Sequence, residues 1–364
     1  MPGARAKRFL FAVTAVALGL AAVEFGLRMA GYRPLPVRPV TSNQEILYQY
    51  GKFRASRTLI WELVPGWNGR EGYGTVNINS LGLREREFSP AKSDGVFRVL
   101  CVGDSVTFGH WVEAEQAFPR RLEALLQRGS SSTIQVINAG VPGYSPFQEL
   151  AWLREKGWDL KPDLVVVGFV LNDVVERFMT LAAYGGANTT LGVDTTATLA
   201  PLHRWLRRTA FFRFVISLLR RGQARREVYS VRRLFDDPLL PRIDAAWRRT
   251  ESELDKMVMA ARQRKVPLCL VVFPFRFQIA EKADPRPQQR LKSWAEAAGV
   301  PLVDLTRDFQ RLGAGRAFLD QDHPTPSGHL VAAQAIAKAI RRHGWLGGDA
   351  PFFSQTNDGD SHDR

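Results

Sequence analysis

Two segments far apart in the chain carry residues able to do nucleophilic chemistry. One is Gly103-Asp104-Ser105-Val106-Thr107-Phe108-Gly109, directly after the apolar run Phe97-Arg98-Val99-Leu100-Cys101-Val102. The other is Asp320-Gln321-Asp322-His323-Pro324. A serine hydroxyl is a weak nucleophile until a base takes its proton. The second segment offers that base, His323, with an acid three residues before it. The first places Ser105 at the C-terminal end of a predicted strand, where a parallel α/β sheet presents its ligand site. Together they are the parts of a Ser-His-Asp hydrolytic site, which is recognised by geometry and role rather than by order in the chain. Taken alone, Gly-Asp-Ser is equally a plain β-to-α turn with a helix cap, because these are the usual turn and cap residues.

Two further segments end predicted strands. Asn138-Ala139-Gly140-Val141-Pro142-Gly143-Tyr144-Ser145 follows one apolar run, and Gly168-Phe169-Val170-Leu171-Asn172-Asp173 closes another. Glycine lets a backbone N–H approach a developing oxyanion closely. A side-chain amide such as that of Asn172 is a second type of oxyanion donor.

These four segments, in this order, resemble the conserved blocks of the SGNH (GDSL-type) hydrolases, here of a membrane-anchored bacterial type. The resemblance covers about 97–175 and 266–342. It implies Ser105 as nucleophile, His323 as general base and Asp320 as the acid that orients it. It implies an oxyanion hole from the Ser105 N–H, the Gly143 N–H and the Asn172 side chain. Gly143 stands five residues after Asn138, and Gly140 is the neighbouring candidate. The family's G-x-N-D block is stretched here by two residues between Gly168 and Asn172. Asp322 is a rival acid, expected to point elsewhere because it is adjacent to His323. His329 reads as structural, and Ser327 as the cap of the last helix.

The elements that must position these residues follow from the pattern. Apolar runs lie at 97–102, 134–138, 164–170, 267–273 and 301–305. Amphipathic stretches lie at about 115–128, 147–157, 243–264 and 286–298, with a last helix over 327–342. Apolar runs alternating with helical patterns predict a parallel sheet covered on both faces. The resemblance implies the three-layer α/β/α form of it, a flavodoxin-like parallel five-stranded sheet with a helical insertion.

The expected organisation has four parts. Residues 1–32 form an N-terminal signal anchor, and 33–96 a β-rich extension with a strand near Tyr73–Asn79 and a turn at Asn79–Gly82. The hydrolase domain spans 97–346, interrupted by a helical insertion or lid at 176–242. Residues 347–364 form a disordered tail. Arg5, Lys7 and Arg8 precede the uncharged run Phe9–Val23, the pattern of a signal peptide or short anchor. Retention as an anchor is the favoured reading, with cleavage after Ala21 or Ala22 as the other. Glu24 and Arg28 are spaced to pair. The basic, aromatic stretch His203–Arg221 fits either a membrane-surface helix or a lid helix packed on the core.

The chain has 364 residues and a formal net charge of +14. No nucleic-acid-binding pattern accompanies that charge, so a basic surface near anionic lipid or polysaccharide is the preferred reading and nucleic acid is set aside. Cys101 and Cys269 sit in β-like runs and are expected as buried free thiols. There is no Cys/His cluster of zinc spacing, no P-loop and no dinucleotide fingerprint, so neither cofactor nor metal is expected. No G-x-S-x-G elbow surrounds Ser105, which disfavours an ordinary α/β-hydrolase.

The expected function is that of a serine ester hydrolase, of acylesterase, deacetylase or lipase type, on an acyl ester of a cell-envelope glycan or lipid. The expected location is the bacterial inner membrane, single-pass, with the catalytic domain on the periplasmic or extracellular side, or secretion after cleavage. An O-acyltransferase using the same triad is the alternative, and a non-catalytic envelope-assembly protein the third reading.

Overall fold

A computed structural model describes residues 2–30, 52–71, 74–175, 211 and 231–347. Most of the 176–242 insertion, the 347–364 tail beyond its first residue and the first part of the 33–96 extension lie outside the described residues. The chain divides into two compact units, Met1–Ser42 with Ala182–Val228, and Asn43–Leu181 with Tyr229–Arg364.

In the first unit, helix α1 spans Pro2–Met29. Glu24 accepts from Arg28 at 2.7 Å, the predicted pairing one turn apart, and also from the Phe211 N–H at 2.7 Å. Phe11, Leu18, Leu20, Val23, Phe25 and Met29 are exposed. Among the described residues, no helix is long and apolar enough to cross a membrane.

The second unit begins with two antiparallel hairpins. Strand β1 (Phe53–Ser56) pairs with β2 (Ile60–Leu63), and β3 (Asn68–Glu71) with β4 (Gly74–Asn77). The predicted turn follows β4, with Gly82 at φ +77° and its N–H on the Asn79 carbonyl.

The hydrolase body is a five-stranded sheet built from β5 (Val96–Gly103), β6 (Thr133–Gly140), β7 (Leu164–Val170), β8 (Leu268–Phe273) and β9 (Leu302–Asp304). The order is β6-β5-β7-β8-β9 and every pairing is parallel. This is the flavodoxin-like order, whose direction of winding reverses between β5 and β7. Every residue of β7 and β8 is buried, as expected of strands covered on both faces.

The helices behave as their periodicity requires. Helix α2 (Ser105–Phe108) follows β5, α3 (Phe118–Gln127) precedes β6, and α4 (Pro146–Trp152) follows it. Helix α5 (Pro241–Gln263) buries Ile243, Trp247, Thr250, Leu254, Met257 and Ala261, a stripe at three- and four-residue steps. Next come α6 (Arg276–Ala280), α7 (Arg286–Ala297), α8 (Thr306–Leu312), α9 (Ala314–Ala317) and α10 (Pro326–Arg342).

One cap differs from expectation. Thr325, not Ser327, caps α10, accepting from the Gly328 N–H at 3.1 Å. Pro326 takes the first helical position, where its missing N–H costs nothing, so the cap must precede it. The two thiols are buried and unpaired, and burial pushes Cys269 up to about 12.

Candidate active site

Ser105 starts α2 immediately beyond β5. The turn is made by Asp104, whose carboxylate accepts from the Val106 N–H at 2.8 Å. Asp104 is therefore an N-cap. Gly109 ends the helix in the left-handed conformation at φ +80°.

A row of three glycines seats this short helix. Gly103 pairs with Gly140 on one side and with Gly168 on the other, so β6, β5 and β7 carry glycine on the same rung. A Cβ on Gly103 or Gly168 would lie 2.1 or 2.3 Å from the Thr107 hydroxyl, and one on Gly140 would lie 2.2 Å from the Phe108 nitrogen. The row is bare because α2 rests directly on it. This assigns packing roles to Gly140 and Gly168 and leaves Gly143 as the oxyanion candidate in the β6 loop. The stretched spacing of the third segment has the same origin: Gly168 sits inside β7, and Asn172 lies two residues past the strand's end.

Gly143 occupies a tight turn. Tyr144 N–H donates to the Val141 carbonyl at 3.1 Å, and Gly143 has φ +80°. Pro then Gly at the two central positions is the signature of a type II turn, which requires positive φ at its second centre. Asn138 braces the approach to this loop, accepting from the Gly140 N–H at 3.0 Å and donating to the Phe108 carbonyl at 3.3 Å.

The first N-terminal hairpin braces the same loop, which the sequence reading of a β-rich extension missed. Trp61 in β2 donates to the Pro142 carbonyl at 3.2 Å, and the Tyr144 hydroxyl donates to the Trp61 carbonyl at 2.7 Å. Arg84, buried, donates to the carbonyls of Phe108, Val112 and Thr75 at 2.9, 2.6 and 3.0 Å. It thereby ties the end of α2 to the extension. No local pattern signals these long-range contacts: an arginine in a polar segment reads as a surface residue, and the apolar run around Trp61 marks burial but not the loop it is buried against.

Across the sheet edge, Ser105 Oγ lies 2.9 Å from His323 Nε2. The His323 Nδ1–H donates to Asp320, at 2.9 Å to Oδ2 and 3.1 Å to Oδ1. The residues expected as nucleophile, base and orienting acid therefore stand in one hydrogen-bonded line, supplied by the β5 end and the loop before α10.

Asp322 departs from expectation. It does not point away: its Oδ1 also lies 3.1 Å from His323 Nδ1. The loop is a tight turn, with Asp320 Oδ1 accepting from the backbone N–H groups of both Asp322 (3.2 Å) and His323 (2.9 Å). A turn, unlike a strand, turns both acids toward the imidazole. Among the described residues, Asp320, Asp322 and His323 are the one acid–histidine group compact enough to hold a metal ion. Their hydrogen bonds to one another account for the arrangement.

Asn172 is buried, and its amide donates to Asp104 Oδ2 at 3.4 Å. Asp104 thus caps the nucleophile helix with one oxygen and aims Asn172 with the other. His110 and Trp111 complete the wall, their rings 5.1 and 4.8 Å from the His323 ring. Trp111 holds φ +65°, an uncommon conformation for a bulky residue and one that clusters at functional sites. Neither residue was singled out by the sequence reading.

The electrostatics follow from burial against charge. Burial would lower the His323 pKa, but the Asp320 and Asp322 carboxylates outweigh it and lift the imidazole well above its ordinary value. Burial would raise Asp320, yet His323 and backbone donors hold it below the usual range. For Asp322 burial prevails and the pKa is raised. Burial and the nearby Asp322 push Asp104 up to about 6. His110 is kept neutral by burial, with His323, Lys52 and Arg84 adding in the same direction.

A serine in hydrogen-bond reach of a histidine that is oriented by an acid is the arrangement of a serine hydrolase. The model of the GDSL-like lipase/acylhydrolase family matches residues 101–331, and the chain belongs to that family. Among solved structures it is similar to an acetylxylan esterase from Geobacillus stearothermophilus, at 17% identity over 67% of this chain and 94% of that one, with a TM-score of 0.42. It is also similar to an α/β hydrolase enzyme from the metagenome of Lake Arreo, Spain, at 19% identity over 69% and 96%, with a TM-score of 0.42. No curated protein sequence matches the chain.

Proposed function

We propose that Ser105, His323 and Asp320 act as a catalytic triad that cleaves an acyl ester of a cell-envelope glycan or lipid. The observation that carries the triad is the continuous hydrogen-bond line from Ser105 through His323 to Asp320, at 2.9 Å in each link. Ser105 Oγ attacks the ester carbonyl carbon while His323 Nε2 takes its proton. The oxyanion that forms is met by the N–H groups of Ser105 and Gly143 and by the Asn172 amide. Collapse breaks the bond to the alcohol oxygen, which takes the proton from His323. Water then attacks the acyl-enzyme with His323 again as base, the bond from the acyl carbon to Ser105 Oγ breaks, His323 returns the proton to Oγ, and the acid leaves. Asp320 stabilises the imidazolium that exists in each half-reaction.

The envelope assignment is supported by the basic leader before Phe9–Val23, by the exposed apolar side chains of α1 and by the net charge of +14. On this reading the catalytic domain works on the outer side of the bacterial inner membrane, and α1 holds the chain at that surface. Fractionation of cells expressing the full chain tests the address: recovery with the membrane pellet supports it, and recovery in the soluble fraction overturns it.

Hydrolysis of p-nitrophenyl acetate, butyrate and octanoate by the full chain, with Ser105→Ala and His323→Ala alongside, tests the chemistry. Turnover lost in both variants is the expected result. Full turnover in Ser105→Ala refutes the triad. The order of rates along the three acyl lengths separates a deacetylase from a lipase.

A further inference from the structure

We propose that Asp322 is a second acid on the catalytic imidazole, a positioning residue that shares the Nδ1–H of His323 with Asp320 and holds the ring when Asp320 cannot. The inference rests on the triad reading and deepens it.

Three observations carry it. First, Asp322 Oδ1 stands 3.1 Å from Nδ1, the same distance as Asp320 Oδ1. Second, Asp320 divides its oxygens: Oδ1 accepts from two backbone N–H groups, so Oδ2, at 2.9 Å, makes the closer contact with the ring. Third, the Asp322 side chain is only 7% exposed, and among the described residues its cationic neighbour within ion-pair distance is His323. Burying a carboxylate at this depth costs hydration, and a charged partner such as the protonated His323 ring offsets part of that cost.

The loop enforces the arrangement. Leu319 N–H donates to the His323 carbonyl at 2.8 Å, Arg276 N–H donates to the Gln321 carbonyl at 2.6 Å, and Phe318 bridges to Pro324. Asp322 is therefore held by a closed turn rather than by its own contacts.

The groups facing His323 are few. Asp320 and Asp322 lie on its own loop, Ser105 and Asp104 on the nucleophile turn, His110 and Trp111 on the turn after α2, and His329 on α10. Lys52 and Arg84 of the extension act on the neighbouring His110. Asp320 and Asp322 both favour the protonated ring. Removing the Asp322 charge makes the base easier to deprotonate, and the acid limb of the reaction moves to lower pH.

The test uses the full chain and a fluorophosphonate probe, in which Ser105 Oγ displaces fluoride from phosphorus with His323 as base. Labelling rates are measured across about pH 5 to 10, where a histidine base titrates. The variants are Asp322→Asn, Asp320→Asn, the double variant and Ser105→Ala, each checked for an unaltered circular-dichroism spectrum. The expected result is an acid limb shifted down by about one pH unit in Asp322→Asn. Asp320→Asn should keep a rate about tenfold or more above the double variant, the factor that about one pKa unit of interaction with the ring makes. A limb in Asp322→Asn that coincides with the parent's, together with a double variant no slower than Asp320→Asn, overturns the inference. Labelling that survives in Ser105→Ala overturns the triad reading instead, so the two failures are told apart.

Discussion

Trp61 donates its indole N–H to the carbonyl oxygen of Pro142, 3.2 Å away, and so joins the N-terminal hairpin to the turn that presents Gly143. The Tyr144 hydroxyl returns the contact to the Trp61 carbonyl at 2.7 Å, and Gln148 donates to the Leu59 carbonyl at 2.9 Å. Three bonds between the same two segments fix the turn from outside the sheet.

Trp61→Phe keeps a ring in the buried site, removes the donor and leaves a small cavity where the rest of the indole stood. The Pro142 carbonyl then loses its partner in a dry setting, at a cost of about 1–3 kcal/mol. On the proposed reading, in which the turn's donor meets the oxyanion and not the ground-state ester, we expect kcat on p-nitrophenyl acetate to fall with KM little changed. A rise in KM at constant kcat would argue that the hairpin binds substrate instead.

Asn172→Ala removes a buried amide that Asp104 aims. Loss of one oxyanion donor typically costs about 10²–10³ in rate. The expected outcome is a kcat reduced by that factor with Ser105 still labelled slowly by a fluorophosphonate. Unchanged kcat would remove Asn172 from the oxyanion hole.

The glycine row separates two kinds of steric failure. In Gly168→Ala the new methyl meets a rotatable hydroxyl, Thr107 Oγ1, whereas in Gly140→Ala it meets the backbone nitrogen of Phe108. Overpacking of the first kind costs about 1–3 kcal/mol. Thr107→Ala, added to Gly168→Ala, should restore most of the lost thermal stability and do nothing for Gly140→Ala. Equal rescue of both, seen in thermal melts, would contradict the seating of α2 described here.

His329 predicts a slope in acid stability. It is fully buried, its Nδ1 accepts from the Phe118 N–H at 3.3 Å, and burial lowers its pKa to about 3. The unfolded chain protonates this histidine near pH 6.5, and the folded chain does so only near the lowered value. Between those points the unfolded state binds the extra proton, so stability falls as pH falls, by up to about 1.4 kcal/mol per pH unit. His329→Asn keeps an acceptor near the same place without a titrating ring. Its melting temperature should drop less than the parent's between about pH 7 and 5. Parallel decline of the two would show that other groups set the acid limit.

The sheet was legible in the sequence because its central strands are unbroken apolar runs of β-branched and aliphatic residues, which have few other uses. Ser105 and Asn172 were legible because each follows an apolar strand and brings turn residues with it, and Asp320 and His323 because they stand three apart in a short polar segment just before the last helix. Asp322 was misjudged because side-chain direction in a turn does not follow the alternation of a strand. Trp61, Arg84 and Trp111 were invisible for a different reason. Their roles come from contacts with segments distant in the chain, and nothing in the residues beside them marks such contacts. Ser327 lost the cap to Thr325 because Pro326 fixes where α10 can begin.

The bare rung under α2 has one more consequence. The height of Ser105 above the sheet is set by bare backbone on one side and by the small Thr107 side chain and the backbone of α2 on the other. The hydrophobic layers on either side can exchange one aliphatic residue for another over time while Ser105 stays level with His323. Substitution at Gly103, Gly140 or Gly168 is the change that would tilt it.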